Sequence, residues 1–230
     1  MSDELREVDL SRVWLGVAAQ VWRREPGRAE RLARWLLRSP GLARALVTTP
    51  SLLLGWVIAT AVVLGAGVAA TWGTGTPFVP LVAPALAAAG IAYAYGPGID
   101  PAWELSRSLA VSDRMVLLVR GLAVFGLNAA LGLAACAASG AAAAVTFRWL
   151  LPMTAACALA LAVATVAKSA NAGLAAGLAG WAITVLAGRA AAGQFTAVLT
   201  ASALVLPYLA ITAFCGIVVV LGTRIPEGTS

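Results

Sequence analysis

The sequence contains no histidine, a single lysine and three cysteines in 230 residues. Its ten carboxylates are clustered: none lies between Glu30 and Asp100, or between Asp113 and Glu227. Each scarcity excludes a chemistry. Membrane metalloenzymes and intramembrane proteases need histidine, paired carboxylates or a Ser–Lys dyad at membrane depth. Lys168-Ser169 comes nearest, but it falls at the end of an apolar run, where a lysine anchors the helix by reaching for the polar boundary. The same dipeptide fails as a phosphate loop, because Ala162 and Ala167 stand where that motif needs glycine. The chain is therefore predicted to be no enzyme by itself, with no cofactor or metal of its own. With no intramembrane carboxylate to carry protons, ordinary proton-coupled transport also loses support. Cys136, Cys157 and Cys215 are odd in number and sit in apolar runs, so they read as small packing residues.

What the chain does have is apolar length. Hydrophobic residues make up 61% of it and the mean hydropathy is +0.90. Residues 51–72, 78–95, 115–138, 149–167, 172–188 and 202–221 form six runs of the length that crosses a bilayer as a helix. Arg120 is the one charged residue inside them, near the start of the third. The first run begins too late, and is too long, for the core of a cleavable signal peptide. The predicted fold is an all-α membrane protein with six transmembrane helices, preceded by an interfacial N-terminal region.

Nine of the sixteen basic residues precede the first run. With the N-terminus in the cytoplasm, Arg107, Arg114, Arg120, Lys168 and Arg224 join them, and only Arg148 and Arg189 face outward. All ten carboxylates then also lie inside, as do both termini. The predicted location is a plasma or inner membrane. Heavy use of alanine and glycine, with arginine in place of lysine, points to a GC-rich bacterial genome. The basic excess lines membrane edges, so lipid rather than nucleic acid is the expected contact.

Residues 1–50 carry two amphipathic segments. In 8–24, Leu10, Val13, Trp14, Val17, Ala18 and Val21 fall on one helical face. In 28–38, Arg28, Arg31, Arg34 and Arg38 run along one stripe, with Leu32, Trp35 and Leu36 opposite. Such basic helices with boundary tryptophan lie in the bilayer interface or pack on a partner protein. Asp100-Pro101 is a helix start, cap then proline, for a short helix over 101–110 on the cytoplasmic side. Residues 189–201, mildly polar and too short to cross, read as a re-entrant or interfacial half-helix. Residues 223–230 form a cytoplasmic tail. Pro152 and Pro207 are expected to interrupt the fourth and sixth spans. Polar groups at depth are few: Asn128, Thr154 and Thr165. Asn128 is either a contact on a substrate path or a helix–helix hydrogen bond. Gly173-x3-Gly177 and Ala134-x3-Ala138 are small-residue pairs that permit close helix approach.

Asp100, Pro101, Glu104, Leu105, Ser112, Arg114 and Arg120 resemble the segment after the second span of type-2 ABC exporter permeases, and the likeness runs on through 122–138. The resemblance implies that helix 101–110 is a coupling helix docking on a separate ATP-binding subunit. Trp103, Glu104, Arg107 and Ser108 would then be contacts and Asp100 a cap. It further implies two permease copies and two ATP-binding subunits, which would hold ATP and magnesium. The path would lie between the copies, lined by the first, second and fifth spans, for a hydrophobic or amphipathic cargo. The alternative is a non-transporting signalling or assembly subunit whose basic N-terminal region recruits a cytosolic partner.

Overall fold

The computed structural model describes residues 15–16, 27–38, 43, 47, 49, 52, 54–95, 113–140 and 147–223. The predicted helices at 8–24 (apart from residues 15–16) and 101–110 lie outside these residues, with Asp100, Trp103, Glu104, Arg107, Ser108 and residues 224–230 of the tail. Every extended element among the described residues is helical: α1 (Arg28–Leu37), α2 (Leu54–Thr74), α3 (Phe78–Ala94), α4 (Asp113–Ala138), α5 (Leu150–Ala167), α6 (Ala170–Ala192), the single turn α7 (Ala197–Thr200) and α8 (Val205–Gly222). Five helices are long and apolar enough to cross a membrane, namely α2, α4, α5, α6 and α8 with its 3-10 lead-in Ser202–Leu204. The chain is a multi-pass membrane protein. A sixth apolar helix, α3, has 17 residues.

α3 is the hub. It packs on α2, α4, α5 and α6, whereas α8 leans on α5 from outside. Small residues make this possible: Ala83, Ala87, Ala88, Ala92 and Ala94 are all buried on α3. Pro84 sits inside α3 and lacks the N–H that would bond the carbonyl of Pro80. One residue along, the Trp181 indole N–H of α6 donates to the Leu81 carbonyl at 2.8 Å, capping backbone from a neighbouring helix.

The Gly173-x3-Gly177 pair lies at a crossing. A Cβ on Gly173 would stand 2.5 Å from the Ala160 carbonyl oxygen, and one on Gly177 would stand 2.9 Å from Ala160 Cβ and 3.1 Å from Ala88 Cβ. Three helices thus meet within backbone reach. Ala134 and Ala138 are exposed instead. Gly132 does similar work on α4, where the indole of fully buried Trp149 occupies the space a side chain would need.

The connections are short and self-bonded. Thr71 donates to the Gly67 carbonyl (2.8 Å) and accepts the Phe78 N–H (3.2 Å), closing the α2–α3 turn. Ser169 caps α6 by accepting the Ala172 N–H at 3.3 Å, directly after Lys168 ends α5 in the left-handed region. This dipeptide is a helix-to-helix turn.

Three expectations are corrected. Pro152 and Pro207 do not interrupt their helices; each is the third residue of its helix, where an N–H has no intrahelical acceptor to lose. α6 runs past the expected end at Gly188 to Ala192, because Arg189 sits in its last turn with its guanidinium 4.2 Å from the Phe195 ring. No half-helix occupies 189–201: Gly193 ends α6 with φ 68°, and α7 is a single turn whose Val198 packs on Gly188. The three cysteines are buried and unbridged.

Replacing Gly173 by leucine should destabilise the bundle by about 1–3 kcal/mol, the usual cost of overpacking. Gly216→Leu, where nothing lies within 4 Å, should change it little. Unfolding in mixed micelles measures both.

Candidate functional site

α4 presents a strict four-residue stripe to its neighbours: Val116, Arg120, Val124, Asn128, Gly132 and Cys136 are all buried. Two of these six are polar. Arg120 is 1% exposed and Asn128 is 4% exposed, two helical turns further along. Neither faces the surface of the bundle, so both serve its interior.

The Asn128 amide sits where α2, α3 and α4 converge on Gly90. A point at the Cβ position of Gly90 lies 3.0 Å from Val124 Cγ1, 3.4 Å from Asn128 Nδ2 and 3.5 Å from Trp56 Nε1. A Cβ there would press on Val124, so glycine favours this approach. Asn128 Nδ2 donates to the Val124 carbonyl at 2.8 Å, which fixes the amide orientation, since the reverse would set oxygen against oxygen. Asn128 Oδ1 and Trp56 Nε1 are both buried, and neither hydrogen-bonds another protein group among the described residues. Trp56 also stacks edge-on against Tyr93, with ring centroids 5.7 Å apart.

α2 and α6 both pack on α3 but share no extended seam. The stripe of α3 left partly exposed is Phe78, Leu81, Val82, Ala85, Leu86 and Tyr93. It is edged by Trp181 of α6 at Leu81 and by Trp56 of α2 at Tyr93. Two open hollows flank the bundle. One, of about 380 Å³, lies between α2 and α4 and is lined by Leu64, Val68, Trp72, Leu131 and small residues. The other, of about 220 Å³, lies at the opposite end from Lys168, between Phe147, Arg148, Leu151, Ser202 and Tyr208.

No cluster of metal-binding side chains occurs among the described residues. Thr154 and Thr165 bond to carbonyls of their own helix, at 2.7 and 2.8 Å. Of the predicted site residues, Asn128 alone is described, and its partners Trp56 and Gly90 were not foreseen. The signal was present: Trp56 shares the face of Thr60, which is buried, four residues along. No protein-family model, curated protein or solved structure matches the chain.

Asn128→Leu, which removes only a bond to its own helix, should alter stability by less than about 1 kcal/mol. Asn128→Asp should cost about 2.5–3.5 kcal/mol, the insertion penalty of a mid-span carboxylate. Chemical unfolding in detergent distinguishes the pair.

Proposed function

We propose that this chain is the membrane-spanning half of an ATP-driven exporter. It would cross a bacterial inner membrane six times, α3 included, with both termini in the cytoplasm. Two copies would enclose the path, and two copies of a separate ATP-binding subunit would drive it. Cargo would be hydrophobic or amphipathic, in keeping with a bundle that carries few charges.

One observation carries this reading. α4 follows directly on the segment at residues 100–112 and continues as a single helix of 26 residues. Along that rod lie Arg120, which is buried, and Val124 and Asn128, which meet α3 at Gly90. A push at its start would therefore move the deepest polar groups of the bundle, as coupling to a nucleotide-driven partner requires. The resemblance at Asp100, Pro101, Glu104, Leu105, Ser112, Arg114 and Arg120 supplies the kind of partner. The path assigned to the first, second and fifth spans corresponds to the α3 stripe flanked by α2 and α6.

The signalling or assembly reading draws on α1. Leu32 and Trp35 are 65% and 76% exposed there, while Glu30 pairs with Arg34 at 2.7 Å. In the exporter reading this apolar face lies in the bilayer interface; in the alternative it recruits a cytosolic protein.

Reversing charge at Glu104 and Arg107 together should leave insertion intact and abolish ATP hydrolysis by the complex. Activity unchanged by the reversal would remove residues 101–110 as the coupling element. Deleting residues 1–27 should reduce transport only in part, whereas the alternative requires complete loss of function.

A further inference from the structure

The hollow of about 220 Å³ beside the start of α5 is divided in a way the exporter reading does not use. Its floor is apolar and buried, made by Pro152 of α5, Val198 and Leu199 of α7, and Tyr208 of α8. The Tyr208 hydroxyl donates to the Val198 carbonyl at 3.2 Å, so it is spent within that floor. The rim is exposed and carries Phe147, Arg148 and Ser202. The spans of α5 and α8 both begin here, so the hollow opens where hydrocarbon gives way to headgroups. One cavity thus presents an apolar pit beneath a cation, at a membrane boundary.

We propose that this hollow holds one phospholipid of net negative charge, its acyl chain on the floor and its phosphate on Arg148. Charge complementarity selects the occupant. The two helix starts add the positive ends of their dipoles to the guanidinium charge. No Asp or Glu lies between Asp113 and Glu227, so α5 to α8 bring no carboxylate to the rim. The same helices of a second copy would bring none either. A guanidinium carries five N–H donors, enough to hold a phosphate beside the contact Arg148 already makes. A free phosphate would leave the apolar floor unused, and a plain hydrocarbon would leave the cation unused. A zwitterionic lipid would set its own cationic group in the same positive field. Seated here, an anionic lipid touches α5, α7 and α8 at once, at the end of the bundle opposite Lys168. The site requires only the multi-pass fold and stands apart from the exporter reading.

The test is native mass spectrometry of the full chain in detergent, titrated with phosphatidylglycerol or with phosphatidylcholine of identical acyl chains. The first phosphatidylglycerol should bind about tenfold more tightly than phosphatidylcholine, the worth of one charge-assisted contact. Arg148→Gln should remove that preference. Arg189→Gln takes an equal charge from the last turn of α6, which does not line the hollow, and should leave the preference in place. Ala201→Trp fills the hollow while keeping Arg148, and should weaken phosphatidylglycerol binding about tenfold. That variant guards against a folding effect in Arg148→Gln. Equal affinity for the two lipids, or a preference that survives Arg148→Gln, would overturn the site. An equal fall in Arg189→Gln would mark general charge attraction and overturn it too. Displacement of phosphatidylglycerol by glycerol phosphate at matched concentration would mark an anion site that ignores the chain, and would overturn the lipid as occupant.

Discussion

The bundle depends on the approach of α6 to α5 and α3 at Gly173 and Gly177. In lipid, helices gain little from apolar burial, because the surrounding chains are as apolar as their side chains. Close van der Waals contact has to hold them instead, and it requires small residues on both sides. A Cβ on Gly173 would fall 2.5 Å from a backbone oxygen of α5, so the two helices meet backbone to backbone. α3 fits between them because its buried surface is largely alanine, and the Trp181 bond to Leu81 ties it to α6. The remaining contacts are arranged around this seam.

A second principle governs the polar groups. Hydroxyls at depth mostly bond to their own helix, as at Thr154, Thr165, Thr184 and Thr212, and so cost the bundle nothing. On the α4 stripe Arg120 and Asn128 are turned inward, and Asn128 bonds its own helix through one amide atom only. Polar groups placed in a packed membrane interior are expensive, which makes them functional candidates by default. Their common rod, α4, links that interior to the segment proposed to meet an ATP-binding subunit.

Much of the fold was legible because apolar length is a strong signal. The apolar runs at 78–95, 115–138 and 149–167 match α3, α4 and α5 to within two residues at each end. The packing role of the cysteines and the helix-end position of Lys168 were also readable, since each followed from local surroundings. What failed was tertiary or positional. Hydropathy stopped the fifth span before Arg189, although a cation is welcome at a helix C-terminus with an aromatic ring beside it. Pro152 and Pro207 looked disruptive because sequence alone did not fix where their helices begin. The Trp56–Gly90–Asn128 cluster joins residues from three helices, and no local pattern in a chain rich in glycine and alanine marks which glycine is crossed.

The most direct measurement of the central claim is gentle solubilisation from native membranes, followed by native mass spectrometry and an ATPase assay of the purified material. The account predicts two copies of this chain with two of an ATP-binding subunit, and hydrolysis that vanadate stops. The chain purifying without such a subunit, and with no ATPase activity, would contradict it.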